Sequence, residues 1–231
     1  MNELDNLAWY SLNGPHLRFR RGNELGAAYD AEVSPFCALA DEVTDEAWGA
    51  LASVLGEGET ATIFRDEVNP PSTWDTVMSL TGVQMVGPRN EEWEVDPRIR
   101  VLEPSDQPQM MALVERTQPG PFRARTHELG EFLGIFHADR LVAMAGQRFR
   151  TSTYVEISAV CTDEEVRGQG LATTLIRAHH TRLTQQGLHP MLHTAETNVR
   201  AISLYEQLGY VLRTPVAISI LRPPAVTSTS V

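Results

Sequence analysis

The stretch that most restricts how this chain folds runs from residue 154 to residue 186. A nine-residue apolar run, YVEISAVCT (154–162), reads as a strand. The turn DEEVRGQG follows. Beyond it comes a helical pattern in which Leu171, Leu175, Ile176 and Leu183 form one stripe, with Gly187 as its stop. A strand that passes through a glycine turn into an amphipathic helix buries that helix against a sheet, so the chain belongs among layered α/β folds.

The turn itself has three readings. It is a tight turn with spare glycines, or a dinucleotide fingerprint, or an anion cradle of the form R-x-x-G-x-A. The dinucleotide pattern fits Gly168 and Gly170, but Thr173 stands where the third glycine is needed, and the acidic DEE separates the strand from the turn. The third form is met by Arg167, Gly170 and Ala172. At such a helix start the free backbone N–H groups and the positive end of the helix dipole face an anion. Glycine lets a pyrophosphate come close, Ala172 keeps the first turn slim, and Arg167 adds charge.

Around this unit the second part of the chain alternates strands and helices. Strands are expected at 98–104, 128–139, 140–150 and 189–195, with one or two more over 210–222; helices are expected at 105–117 and 198–210. A charged, proline-bearing stretch, GPRNEEWEVDPRIR (87–100), separates it from the first part. There, strands are expected at 17–21, 27–33, 61–65 and 82–87, and helices at 45–55, capped by Thr44, and at 72–80. This order repeats that of the closing half, so residues 1–95 read as an accessory or degenerate α/β lobe. Residues 96–222 read as the main domain and 223–231 as a flexible tail.

Composition narrows the function. With 42% hydrophobic residues the 231-residue chain can bury a core, and its net charge of −11 argues against nucleic-acid binding. The two cysteines, Cys37 and Cys161, are no disulfide framework. The N-terminus lacks a basic leader segment, and no uncharged apolar run approaches membrane-spanning length. A cytoplasmic protein without membrane or nucleic-acid partners is expected, with a homodimer left open. The adjacent His179 and His180 point different ways on a helix, which is poor metal-ligand geometry, and no metal is expected.

A second pattern follows the glycine turn. NVRAISLYEQLGY (198–210) carries Asn198, Ala201, Leu204, Tyr205, Gly209 and Tyr210. With the turn, it resembles the GNAT superfamily of N-acetyltransferases over residues 98–222. The resemblance implies a mixed, mostly antiparallel sheet flanked by helices, with acetyl-coenzyme A as cosubstrate and a small-molecule or peptide amine as acceptor. It implies that the strand before the turn splays from the next one and that the cofactor's pantetheine arm fills the gap. Cofactor contacts then fall on Val160, Cys161, Thr162, Arg167, Gly168, Gln169, Gly170, Leu171, Ala172, Thr173 and Asn198. The resemblance also implies transfer by direct amine attack, without a covalent enzyme intermediate.

Such attack needs a base, because an alkylammonium has a pKa of about 10.4. The resemblance marks Glu156, eleven residues before Arg167, with His193, five before Asn198, as its rival. The plainer readings are an exposed strand glutamate and a histidine in a structural hydrogen bond. Strict alternation puts Glu156, Ser158 and Val160 on one side of the strand and Ile157, Ala159 and Cys161 on the other. Tyr205 stands where the family places an acid for the leaving thiolate; packing in the stripe of Ala201 and Leu208 is the alternative. Arg123 and Arg125, in the loop 118–126, suit a substrate carboxylate, the cofactor's 3′-phosphate, or plain solvation. A non-catalytic acyl-coenzyme A-binding regulatory module needs the turn but none of the catalytic residues.

Overall fold

The computed structural model describes residues 2–225; from 226 on, the expected tail lies outside the described residues. The strands, in chain order, are β1 (Arg20–Gly22), β2 (Gly26–Tyr29), β3 (Cys37–Leu39), β4 (Ala61–Arg65), β5 (Asp75–Val86), β6 (Ile99–Val101), β7 (Phe132–His137), β8 (Arg140–Arg150), β9 (Tyr154–Thr162), β10 (His189–Ala195) and β11 (Val211–Arg222). The helices are α1 (Leu7–Leu12), α2 (Asp45–Val54), α3 (Gln107–Thr117), α4 (Leu171–Gln185) and α5 (Val199–Gln207). Side chains start two of them. Thr44 accepts the Ala47 N–H at 3.1 Å to open α2, and Asn198 accepts that of Ala201 at 3.2 Å to open α5. No helix among the described residues is long and apolar enough to cross a membrane.

One eight-stranded sheet, ordered β4-β11-β5-β10-β9-β8-β7-β6, forms the body, and β1-β2-β3 make a small second sheet. Every pair in the large sheet is antiparallel except β9 with β10. Two expectations change here. Residues 72–80 do not form a helix; most of them belong to the twelve-residue β5. Their Val77, Met78 and Leu80 are exposed, so they have no apolar helical face to bury, while pairing along nearly all of β11 satisfies their backbone. The separate lobe over 1–95 also gives way to a shared sheet. β4 and β5 flank β11, and β5 lies between β10 and β11.

The sheet has two faces. α4 covers one, where Ala143, Ala145, Val155, Ile157, Leu192 and Tyr205 join the main apolar cluster. α1 and α3 cover the other, with Phe36, Phe149 and Met191 under α1, and Met144, Phe132 and Cys161 under α3. The strict alternation expected along β9 fails at Ala159. There the register against β8 slips by one residue and Ala159 takes φ +50°. This bulge puts Val160 on the face of Ile157 and leaves Ala159 and Cys161 together on the other.

Candidate active site

β9 and β10 run side by side only briefly. Their paired positions are Tyr154 with His189, Val155 with Pro190, and Glu156 with Met191. Beyond Glu156 the strands part, and the bulge at Ala159 turns β9 away. Into this opening leads a cleft of about 950 Å³, walled by Thr117, Pro119, Val160, Cys161, Thr162, the turn from Val166 to Thr173 except Gln169, and α5. Its volume lies at the upper end for ligand sites.

The turn leaves its backbone open toward the cleft. Gly168 and Gly170 take φ of +82° and +74°, a left-handed backbone that other residues adopt at a cost. A Cβ on either would meet nothing within 4 Å, so space lies open above the turn. Among the described residues, no backbone group accepts from the N–H groups of Gly168 to Thr173; the first such bond is Thr174 to the Gly170 carbonyl at 3.0 Å. Arg167 is half-exposed at the rim, its Nε donating to the Thr162 carbonyl at 3.4 Å. Of the expected cofactor contacts, Val160, Cys161, Thr162, Arg167, Gly168, Gly170, Leu171, Ala172, Thr173 and Asn198 all line the cleft; Gln169 does not. Burial pushes the Cys161 thiol up to about 11, so it keeps its proton at neutral pH.

Tyr205 reaches the cleft from α5 while packing into the main apolar cluster. Burial, and then the charge of Glu156, raises its phenol to about 12. Glu156 and His193 belong to the opposite face and do not line this cleft. They are not rivals in separate places, because His193 Nδ1 lies 2.7 Å from Glu156 Oε1. Nor is Glu156 an exposed strand residue, since it is fully buried.

A chain of polar side chains holds this pair. Arg148 donates from Nε to Glu156 Oε2 at 2.7 Å and from its terminal nitrogen to Oε1. Gln84 donates to the Leu4 carbonyl and accepts from Arg213, each at 2.8 Å, which fixes its amide orientation. Its Nε2 therefore donates to His193 Nε2 at 3.1 Å and leaves the histidine proton on Nδ1, facing Glu156. Arg213 closes the chain on Asp5. Burial alone would push the Glu156 carboxyl up; the Arg148 guanidinium, with the Nδ1–H of His193 beside it, outweighs it and holds the group at about 2.

Several lining or supporting residues escape a reading of the sequence. Arg200, Ser203, Leu204 and Gln207 join Ala201 and Tyr205 on the cleft side of α5, and helical spacing from Asn198 points to that face. Nothing along the chain points to Gln84, whose place depends on strands far apart in sequence, or to Arg148, which the bulge in the neighbouring strand β8 brings to Glu156. Arg125 is no free loop charge: it binds Asp30 at 2.8 Å and Glu128 at 2.7 Å. Arg123 instead lines a second, smaller cleft with Phe36, Glu57 and Glu59. His179 and His180 are buried helix residues, the first bonded to the Ala145 carbonyl at 2.9 Å and the second stacked edge-on with Trp93.

Comparison with known proteins agrees with this geometry. The family model for FR47-like protein matches residues 132–217. A protein of Novosphingobium aromaticivorans, described as an acetyltransferase from the GNAT family, is 34% identical. Its crystal structure superimposes with a TM-score of 0.89 over 97% of this chain and 100% of that one. A GCN5-related N-acetyltransferase of Kribbella flavida shares the fold at 17% identity, TM-score 0.65 and 96% of each chain. A GCN5-related N-acetyltransferase-like protein of Streptococcus suis shares it at 15% identity, TM-score 0.54, over 88% of this chain and 82% of that one. No curated protein matches the chain.

Proposed function

Since the chain belongs to the GNAT family of acetyltransferases, we propose that it moves an acetyl group from acetyl-coenzyme A to a primary amine of a small molecule or peptide, by direct attack. The observation that carries this reading is the parting of β9 and β10. It leaves Tyr205 on one face of the opening and the Glu156–His193 pair on the other, beside the open helix start of α4.

The residues present fit the cosubstrate. Free N–H groups at the start of α4, with Arg167, suit its pyrophosphate. The unpaired edges of Val160 to Thr162, with Asn198, suit its extended arm. Bound there, acetyl-coenzyme A supplies a thioester carbonyl open to an unprotonated amine. Glu156 and His193 take up the proton that the ammonium sheds, and Tyr205 gives its proton to the departing thiolate as the carbon–nitrogen bond replaces the carbon–sulfur bond; the second proton, lost from the nitrogen as it becomes an amide, restores the phenol.

Thiol release from acetyl-coenzyme A, measured across small amines, amino acids and peptides, tests this. Turnover with one class supports the reading. One observation favours a second reading, that of a non-catalytic acyl-coenzyme A-binding regulatory module: every oxygen of Glu156 and both ring nitrogens of His193 already have protein partners. Tight cofactor binding with no turnover on the full panel would select it.

A further inference from the structure

The guanidinium of Arg148 sits within a cage of three aromatic rings. It lies 4.8 Å from the centroid of Phe36, 5.1 Å from Phe64 and 5.2 Å from Phe149. Glu156, fully buried, closes the cage as its anion. Ring faces and a desolvated carboxylate together make a strong site for a cation. As an element of stability the arrangement gains little, because stripping water from a buried ion pair offsets most of its attraction. What it does supply is a site organised in advance for one positive charge.

The position of the cage matters as much as its chemistry. Glu156 is the last paired residue of β9 before the strands part, and Tyr205 stands across the opening, close enough to feel its charge. β8 carries an extra residue between Gln147 and Arg150, and that bulge brings Arg148 to the cage. The Arg148 side chain is 13% exposed, so it reaches solvent while Glu156 does not. Phe36, whose ring carries Arg148, is also a residue of the second cleft, of about 330 Å³, with Arg21, Arg123, Glu57 and Glu59.

We propose that this cage is the subsite for the acceptor's own ammonium group, and that Arg148 holds its place until the acceptor arrives. The identity of the ligand rests on the acetyltransferase reading above. The exchange conserves charge: one cation leaves Glu156 as another reaches it, so the carboxylate is never buried alone. The ammonium then lies against Glu156, with His193 beyond, at the edge of the opening. Arg148 is a positioning residue in this scheme, acting through Glu156.

Two measurements test the exchange, and neither needs acetyl transfer. Arg148→Ala empties the cage. Its thermal stability should fall, and millimolar methylguanidinium or n-propylammonium should restore a large part of the lost Tm, while neutral N-methylurea should not. The double variant Arg148→Ala with Glu156→Gln should not respond to the cations. Equal effects of cation and neutral isostere, or equal rescue of single and double variants, would overturn the proposal. Should Arg148→Ala fail to fold, the wild-type protein gives the second measurement. The buried Arg148 Nε–H, assigned by NMR against Arg148→Lys, should lose its protection from solvent exchange on adding n-propylammonium but not N-methylurea; unchanged protection overturns the proposal. Absence of thiol release would instead remove the acetyltransferase reading and leave cation binding by the cage intact.

Discussion

Glu156 carries its charge in the interior, and that sets how stability follows pH. Its folded value of about 2 lies below the ordinary 4.5, because Arg148 and His193 outweigh burial. A group depressed in this way contributes stability above its unfolded value and loses that contribution as pH falls toward its folded value. Urea midpoints should therefore drop as pH is lowered from about 4.5 toward 2, and Glu156→Gln should flatten that part of the curve. Tyr205 gives a kinetic prediction. Its phenol, raised to about 12, keeps its proton at neutral pH and can donate it. Tyr205→Phe should lower kcat by about 100-fold or more with little change in cofactor Kd; an unchanged rate would remove the role. Both residues stand out in the sequence by their distance from the glycine turn. Their environment does not, because Arg148 reaches Glu156, Gln84 reaches His193, and Arg213 reaches Gln84 only through sheet pairing.

The start of α4 shows how far one element can be read from its own residues. Gly170 precedes Leu171 with φ +74°, and an alanine there has space for its Cβ but not the backbone for it. Gly170→Ala should cost about 1–2 kcal/mol of stability through left-handed strain. It should also weaken acetyl-coenzyme A binding by misaligning the first N–H groups of α4. Calorimetric titration and thermal unfolding on the same variant check both effects, and unaltered binding would argue against the turn as anion cradle. The extents of β8, β9 and β10 match their patterns residue for residue, since turn residues bound each of them. β5 defeats that approach. Its first seven residues are all exposed, and only hydrogen bonding to β11 makes them a strand. The bulge at Ala159 is equally invisible along the chain, being a mismatch of length between two strands.

At the scale of the whole molecule, the two halves of the chain complete each other. β11 has β4 on one side and β5 on the other, both from residues before 95, and β10 meets β5 along Gly82 to Val86. Residues 96–231 expressed alone would leave β11 with no partner in the sheet. That fragment should lack cooperative unfolding and aggregate through its open edges; a sharp thermal transition with dispersed amide resonances would refute this. The N-terminal segment also closes the far face of the sheet, with Leu4 and Asp5 ending the polar chain that runs from Arg148 through Glu156 and His193. By itself the sequence determined the layered α/β class, the glycine turn before α4, the helix begun by Asn198, and the candidate residues Glu156, His193 and Tyr205. These depend on local spacing, backbone preference and apolar periodicity, all of which lie within short stretches of chain. Only the tertiary structure decided that Glu156 and His193 form one buried pair, that Arg148 fills a cage of rings beside them, and that the first half of the chain belongs to the same sheet. Each of those depends on contacts between residues tens to hundreds of positions apart, which burial and strand pairing select together.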